Sequence, residues 1–146
     1  MADFGSCHSL TIFEDTFIPW ERVFMCGEWE FGGRAASLFA LYHRHSYTGC
    51  KPAFTDVIMG TTALAAEYNG VEGAQHINHK LADLISVAEL VYGAGIAAGV
   101  KSKPSSSGTY IPDVVFCNVG RRHAGESLYH EYFWPATGIG PRKYMD

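Results

Sequence analysis

The chain has 146 residues, of which 47% are apolar and 18% charged, enough for one domain with one buried core. Eleven Lys and Arg stand against 15 Asp and Glu, giving a formal net charge of −4. That balance argues against a nucleic-acid or anionic-membrane partner.

Residues 1–9 are small and polar, and they read as the edge of a longer protein. Met1-Ala2-Asp3-Phe4-Gly5-Ser6 has no basic region followed by an apolar one, so it is no signal peptide. His8 has no local partner and reads as solvated. Leu10-Thr11-Ile12-Phe13 is a short β run closed by Glu14-Asp15, and Pro19 keeps Ile18 extended. Val23-Phe24-Met25-Cys26 is a last strand or a linker. Gly32-Gly33 then punctuates the chain.

Four apolar patterns of helical period follow. Ala35, Leu38, Phe39 and Tyr42 lead up to His43. Phe54, Val57, Ile58, Thr61, Leu64, Ala65 and Tyr68 lie on one helical face, and Asn69-Gly70 stops that helix. Ile77, Leu81, Leu84, Ile85, Ala88, Val91 and Tyr92 form the strongest stripe, fading through Gly93 and Gly95. The stripes at 54–68 and 77–92 predict two long antiparallel helices that bury Phe54, Ile58, Leu64, Leu81, Leu84, Ile85 and Val91. His76 and His79 share a face, but nothing nearby completes a metal site, so they read as a solvated helix start. Residues 101–108 are a loop by composition. Pro112 or Asp113 opens a last helix, with Val115 and Val119 on its stripe and Leu128 and Tyr132 continuing it. Gly120-Arg121-Arg122-His123 is either a basic cofactor contact or a solvated turn. Thr137-Gly138-Ile139-Gly140-Pro141 is turn-rich and lacks the spacing of a dinucleotide fingerprint.

No apolar run approaches the roughly 20 residues that cross a bilayer. The four cysteines, Cys7, Cys26, Cys50 and Cys117, are scattered, which suits a reducing cytoplasm better than a disulfide framework. Eight Tyr, nine Phe and three Trp suit a large interface or a flat aromatic cofactor. The chain shows no internal repeat and no Ser/His/Asp order of a hydrolase.

The chemistry concentrates in Tyr42-His43-Arg44-His45-Ser46-Tyr47-Thr48-Gly49-Cys50-Lys51. His43 and Cys50 are two helical turns apart, about 10 Å along an axis. Tyr47 follows His43 by one turn and Lys51 follows Tyr47 by one, so the four can line one wall. Thr48-Gly49 and Pro52 speak against an unbroken helix, and a kink there would draw His43 and Cys50 toward one metal. The alternative is a half-buried helix end with ordinary polar residues.

Thr11-Ile12-Phe13-Glu14-Asp15 and Phe17-Ile18-Pro19-Trp20-Glu21-Arg22-Val23-Phe24 resemble a strand and turn of the 4-hydroxyphenylacetate 3-monooxygenase / 4-hydroxybutyryl-CoA dehydratase flavoprotein family, relatives of the acyl-CoA dehydrogenases. Tyr42-His43-Arg44, Ser46-Tyr47 and Gly49-Cys50-Lys51 resemble its dehydratase branch, and the likeness covers nearly the whole chain. It implies that residues 1–30 end a β-domain and linker and that 31–146 are a truncated C-terminal helical bundle. The fold class is then mainly α, a short opening β segment before an antiparallel bundle of the acyl-CoA dehydrogenase C-terminal type.

The resemblance also implies FAD, a [4Fe-4S] cluster held by three Cys and one His, an acyl-CoA substrate and a homo-oligomer, a tetramer in the family. His43 and Cys50 are the implied cluster ligands. His43, Tyr47 and Lys51 are the implied catalytic residues, and Thr137 and Gly138 the implied flavin contacts. The family's Cys-x3-Cys pair is missing here, so the remaining cluster ligands are expected outside this chain, and the chain alone is expected to be inactive. The implied reaction converts 4-hydroxybutyryl-CoA to crotonyl-CoA, with vinylacetyl-CoA isomerase activity. A flavin-dependent aromatic hydroxylase and a catalytically inactive oligomerisation module are the alternatives.

Overall fold

A computed structural model describes residues 10–137, with side chains to residue 127. It separates into two compact units, Met1–Gly33 and Arg34–Asp146. Among its described residues, the first holds two single 3-10 turns, Trp20–Arg22 and Trp29–Phe31, separated by bends and irregular chain. The β runs expected at 10–13 and 23–26 form no ladder among the described residues. A strand exists only as a pairing. Leu10, Ile12, Phe13, Phe17, Trp20 and Phe24 are exposed. The Glu28 carboxylate accepts the Cys26 N–H at 2.6 Å. That bond, and then one from its own N–H, hold Glu28 below the ordinary carboxylate value.

The second unit is the antiparallel helical bundle expected from the sequence. Helix α1 runs over Gly32–Tyr68, α2 over Gln75–Val100 and α3 over Val114–Thr137. A hairpin of β1 (Lys103–Pro104) and β2 (Tyr110–Ile111) joins α2 to α3, pairing Lys103 with Ile111 and Pro104 with Tyr110. This hairpin occupies part of the expected loop, with Gly108 at φ +82° in its turn.

The two expected helices around the organising stretch are one helix of 37 residues. Pro52 lies inside it and is buried. Proline lacks the N–H for its i−4 bond and crowds that carbonyl, which costs an isolated helix about 3 kcal/mol. The packed face around Pro52 outweighs that local cost. No loop opens at Thr48-Gly49, so a kink does not draw His43 and Cys50 together.

The buried face of α1 is also not the expected one. Thr48, Thr55 and Thr62 are buried at seven-residue intervals, with Pro52 and Ala66 beside them. Each hydroxyl donates within its own helix: Thr48 to the His45 carbonyl at 2.6 Å, Thr55 to Lys51 at 3.0 Å and Thr62 to Ile58 at 2.8 Å. The polar atoms are thus satisfied locally, and small side chains let the neighbouring helices come close. The apolar stripe faces outward: Phe54 is 54% and Leu64 48% exposed, and Val57 and Tyr68 are exposed too.

Helix α2 follows its expected stripe more closely. Ile77, Leu84, Val87, Ala88, Val91, Gly95 and Ala98 are buried, and Leu84 and Val91 are fully enclosed. Ile85, expected inside, is 50% exposed, and Tyr92 and Ile96 are exposed beside it. This helix is long and apolar enough, by length and composition, to cross a membrane, with a mean hydropathy of 1.5 over its most apolar stretch. The sequence reading missed this because Lys80, Asp83 and Glu89 interrupt the apolar run. Here the helix is the centre of the bundle, packed extensively on α3.

The helix ends follow from their own residues. Gly70, at φ +64°, closes α1: its N–H bonds the Glu67 carbonyl at 2.9 Å and Val71 N–H the Ala66 carbonyl at 3.0 Å. That pair is the Schellman arrangement. Asp113 opens α3 by accepting N–H bonds from Val115 at 2.9 Å and Phe116 at 3.1 Å. Its own N–H bonds the Ala98 carbonyl at 3.0 Å, fixing the start of α3 to the end of α2.

Candidate functional site

The residues from Tyr42 to Lys51 sit where the three helices cross. Thr48 is the centre of that crossing. Its side chain fills the space left by two glycines: a Cβ on Gly95 would meet Thr48 Oγ1, and a Cβ on Gly120 would come within 2.7 Å of Thr48 Cγ2. His45 Nε2 lies 3.1 Å from the Gly95 carbonyl. Tyr42 donates its hydroxyl to the Tyr110 carbonyl at 2.8 Å, and Arg44 donates to Asn118 Oδ1 at 2.5 Å. These bonds fix both the depth and the rotation of α1 against α2, α3 and the hairpin.

Fixing the rotation decides which side chains look outward. At about 100° per residue, His43 and Cys50 lie within about 20° of each other on an unbroken helix, with Tyr47 and Lys51 on the adjoining flank. His43 and Cys50 are exposed, on the side of α1 opposite Thr48. The His43 ring stacks on Phe39 one turn earlier, with centroids 5.9 Å apart and planes 8° apart. Among the described residues, Cys50 Sγ makes a long 3.7 Å contact, to the Tyr47 carbonyl.

Tyr47 turns toward the bundle and packs against Val87, Val91 and Ala124. The Lys51 ammonium lies 5.1 Å from its ring centroid and the Arg121 guanidinium 4.7 Å. The 120–123 stretch therefore has separate duties rather than one. Gly120 is the seat for Thr48, Arg121 covers Tyr47, and Arg122 pairs with Glu126 at 2.8 Å on the surface. His123 Nδ1 lies 3.4 Å from Ser127 Oγ, while its buried Nε2 has no partner among the described residues. The sequence flagged Arg121 only as part of a basic run. A glycine inside a helical stripe signals close backbone approach by another helix or a ligand, and Gly95 fits that reading against Thr48, whereas Thr48 and Gly120 carried no signal beyond their small size.

A groove of about 460 Å³ opens at the α1–α2 crossing, lined by His45, Ser46, Thr48, Gly49, Tyr92 and Gly95 among others. It uses a different face of α1 from that of His43 and Cys50. Thr137 is the last residue of α3, and Gly138 lies outside the described residues. His76 and His79 stand exposed in the first turns of α2. Among the described residues, no group of three or more His, Cys, Asp and Glu stands together to hold a metal. His43 and Cys50 are thus a pair, an imidazole and a thiol on one open face.

Residues 33–132 match the family described as "4-hydroxyphenylacetate 3-hydroxylase C terminal". The chain belongs to this family. It is 40% identical over 120 residues to the 4-hydroxybutyryl-CoA dehydratase/vinylacetyl-CoA-Delta-isomerase of Clostridium aminobutyricum, a match covering 82% of the chain and 24% of the relative. It is 35% identical over 106 residues to the 4-hydroxyphenylacetate 3-monooxygenase oxygenase component of Thermus thermophilus, covering 71% of the chain and 22% of the relative. Among solved structures, an oxygen-tolerant archaeal 4-hydroxybutyryl-CoA dehydratase from N. maritimus superposes with a TM-score of 0.81 at 35% identity, covering 90% of this chain and 26% of that one. The chain therefore spans about a quarter of the length of these relatives. The bundle is the fold of this family's C-terminal part, as the sequence predicts.

Proposed function

We propose that this chain is the C-terminal helical part of a flavin- and [4Fe-4S]-dependent dehydratase that converts 4-hydroxybutyryl-CoA to crotonyl-CoA and isomerises vinylacetyl-CoA. The observation that carries this reading is the pairing of His43 and Cys50 on one exposed face, with Tyr47 and Lys51 on the flank beside it. The higher identity to the Clostridium dehydratase than to the Thermus hydroxylase component supports it. Residues 1–30 are then the end of a β-domain with its linker, and 31–146 belong to the bundle.

The donor chemistry fits half a cluster. A cubane cluster takes four protein ligands, usually thiolates, and an imidazole is a neutral variant. Cys50 is free, exposed and, among the described residues, held by nothing stronger than the 3.7 Å contact. The remaining ligands come from outside this chain. When bound, the flavin supplies one-electron oxidation that acidifies the β-hydrogen, and the cluster supplies Lewis acidity toward the 4-hydroxyl leaving group.

This chain's own residues do the rest. His43 offers a neutral imidazole that ligates or takes a proton. Lys51 places a positive charge beside the reacting group, favouring an enolate. The Tyr47 phenol supplies a hydrogen bond from a ring anchored in the bundle core. Thr137 and Gly138 are the proposed flavin contacts. The outward stripe of Phe54, Val57, Leu64 and Tyr68 supports a homo-oligomer, since exposed apolar faces of this kind mark interfaces. Cys26, Cys50 and Cys117 are free thiols, which supports a cytoplasmic protein.

A hydroxylase of the same family has its own support in the Thermus relative. The two readings separate at the cluster. In the full-length protein purified without oxygen, Cys50→Ala removes cluster iron and dehydration together. His43→Cys would keep iron but lose turnover, because a thiolate would replace the neutral, more exchangeable imidazole. Full iron and dehydration in Cys50→Ala reject Cys50 as a cluster ligand, and a full-length protein that carries flavin but neither iron nor dehydration rejects the dehydratase reading in favour of the hydroxylase.

A further inference from the structure

Tyr47 carries two cations on one ring, and the proposed chemistry accounts for Lys51 alone. Arg121 reaches the ring from α3, with its guanidinium carbon 4.7 Å from the centroid. It does so across Gly125, where a Cβ would run into the guanidinium. No carboxylate pairs with Arg121 or Lys51 among the described residues, whereas the adjacent Arg122 is paired with Glu126. Two unpaired cations beside one aromatic ring repel each other, and the ring's electron-rich face is what offsets that repulsion. Meanwhile Val87, Val91 and Ala124 hold the ring from the core side. The ring thus has apolar packing on its core side and two cations beside it.

We propose that Arg121 is a positioning residue for Tyr47: it fixes the ring so that the phenol hydroxyl points to the reacting group. This rests on the catalytic role proposed for Tyr47. Arg121 needs no contact with substrate to matter, because a misaimed hydroxyl loses its hydrogen bond in the transition state. The absent side chain at Gly125 serves the same end, since a Cβ there would run into the guanidinium.

The test uses the full-length holoenzyme. Arg121→Met lowers kcat roughly 3- to 10-fold, with KM within about twofold. Arg121→Lys keeps most of the rate. Gly125→Ala displaces the guanidinium with its charge intact and reproduces the loss. Arg122→Met, altering a surface pair, leaves the rate unchanged. The decisive comparison is made in a Tyr47→Phe background, where no hydroxyl remains to be aimed and Arg121→Met has no further effect. With 3-fluorotyrosine at position 47, the 19F line moves on Arg121→Met and not on Arg122→Met, whatever the turnover. An unchanged kcat in Arg121→Met beside an impaired Tyr47→Phe overturns the proposal. So does the same fold-loss in both backgrounds. Full turnover by Tyr47→Phe overturns the catalytic role of Tyr47 itself.

Discussion

The crossing at Thr48 makes a signed prediction for Gly95→Ala. In an ordinary exposed helix position, Gly→Ala stabilises by about 1 kcal/mol, through helix propensity alone. Gly93 is such a position: it is exposed and a Cβ there meets nothing within 4 Å. Gly95, two residues on in the same helix, is buried, and a Cβ there lies 2.9 Å from Thr48 Cβ and closer still to Thr48 Oγ1. Neither neighbour can swing aside. Thr48 is buried, its hydroxyl is committed to the His45 carbonyl, and its methyl is seated on Gly120. Overpacking of this kind costs about 1–3 kcal/mol. Gly93→Ala should therefore gain up to about 1 kcal/mol, and Gly95→Ala should fall below it by about 1–3 kcal/mol. Urea unfolding followed by far-ultraviolet circular dichroism measures both. Thr48→Ala removes the nearest atom, so it should cost less in the Gly95→Ala background than alone. If Gly95→Ala stabilises as much as Gly93→Ala, α1 and α2 do not cross at Thr48, and the rotation assigned to His43 and Cys50 falls with that contact.

The core and the outward stripe are separated by a pair of truncations. Leu84→Ala, at a fully buried position, should cost about 2–5 kcal/mol, while Leu64→Ala should cost under about 1 kcal/mol in this chain by the same unfolding assay. A large loss at Leu64 means that another surface covers it in solution. Burial, and secondly the nearby Asp113 charge, push the Cys117 thiol above its ordinary value of 9.0. The folded state then holds that proton more tightly than the unfolded state. Its stabilisation is whole below about pH 9 and is lost as pH climbs through the raised value. Cys117→Ala should flatten that part of the stability curve, and mass spectrometry should find Cys26 and Cys50 alkylated well before Cys117. Equal labelling of all three contradicts the burial.

Much of the bundle is legible in the sequence because its signals are local and agree with one another. Asn69-Gly70 needs a left-handed residue, and Gly70 supplies it. An aspartate caps the N–H groups two and three residues along, and Asp113 does so at the start of α3. The stripe from Ile77 to Val91 has one dominant face, so α2 lies as expected. The failures occur where tertiary packing outweighs a local preference. Pro52 reads as a break, yet α1 passes through it. The stripe from Phe54 to Tyr68 reads as core, because periodicity reports that a face is apolar and not what covers it. The covered face is instead a row of threonines, whose hydroxyls bond within the helix. Hydropathy counts those hydroxyls as polar and so assigns the row to solvent.

The candidate site divides in the same way. His43, Tyr47, Cys50 and Lys51 are close in sequence, so helical spacing alone groups them, and an unbroken α1 makes that grouping firmer than a kinked one would. What spacing cannot supply is the phase of the helix in the bundle. That phase comes from residues with no chemistry of their own: Thr48 fits only where Gly95 and Gly120 have no side chains. Arg121 was equally hidden, since 74 positions separate it from Tyr47 and only the return of α3 beside α1 joins them. The reactive face of α1 is therefore aimed by the small residues on its far side. Enlarging any of the three turns that face without touching a catalytic group.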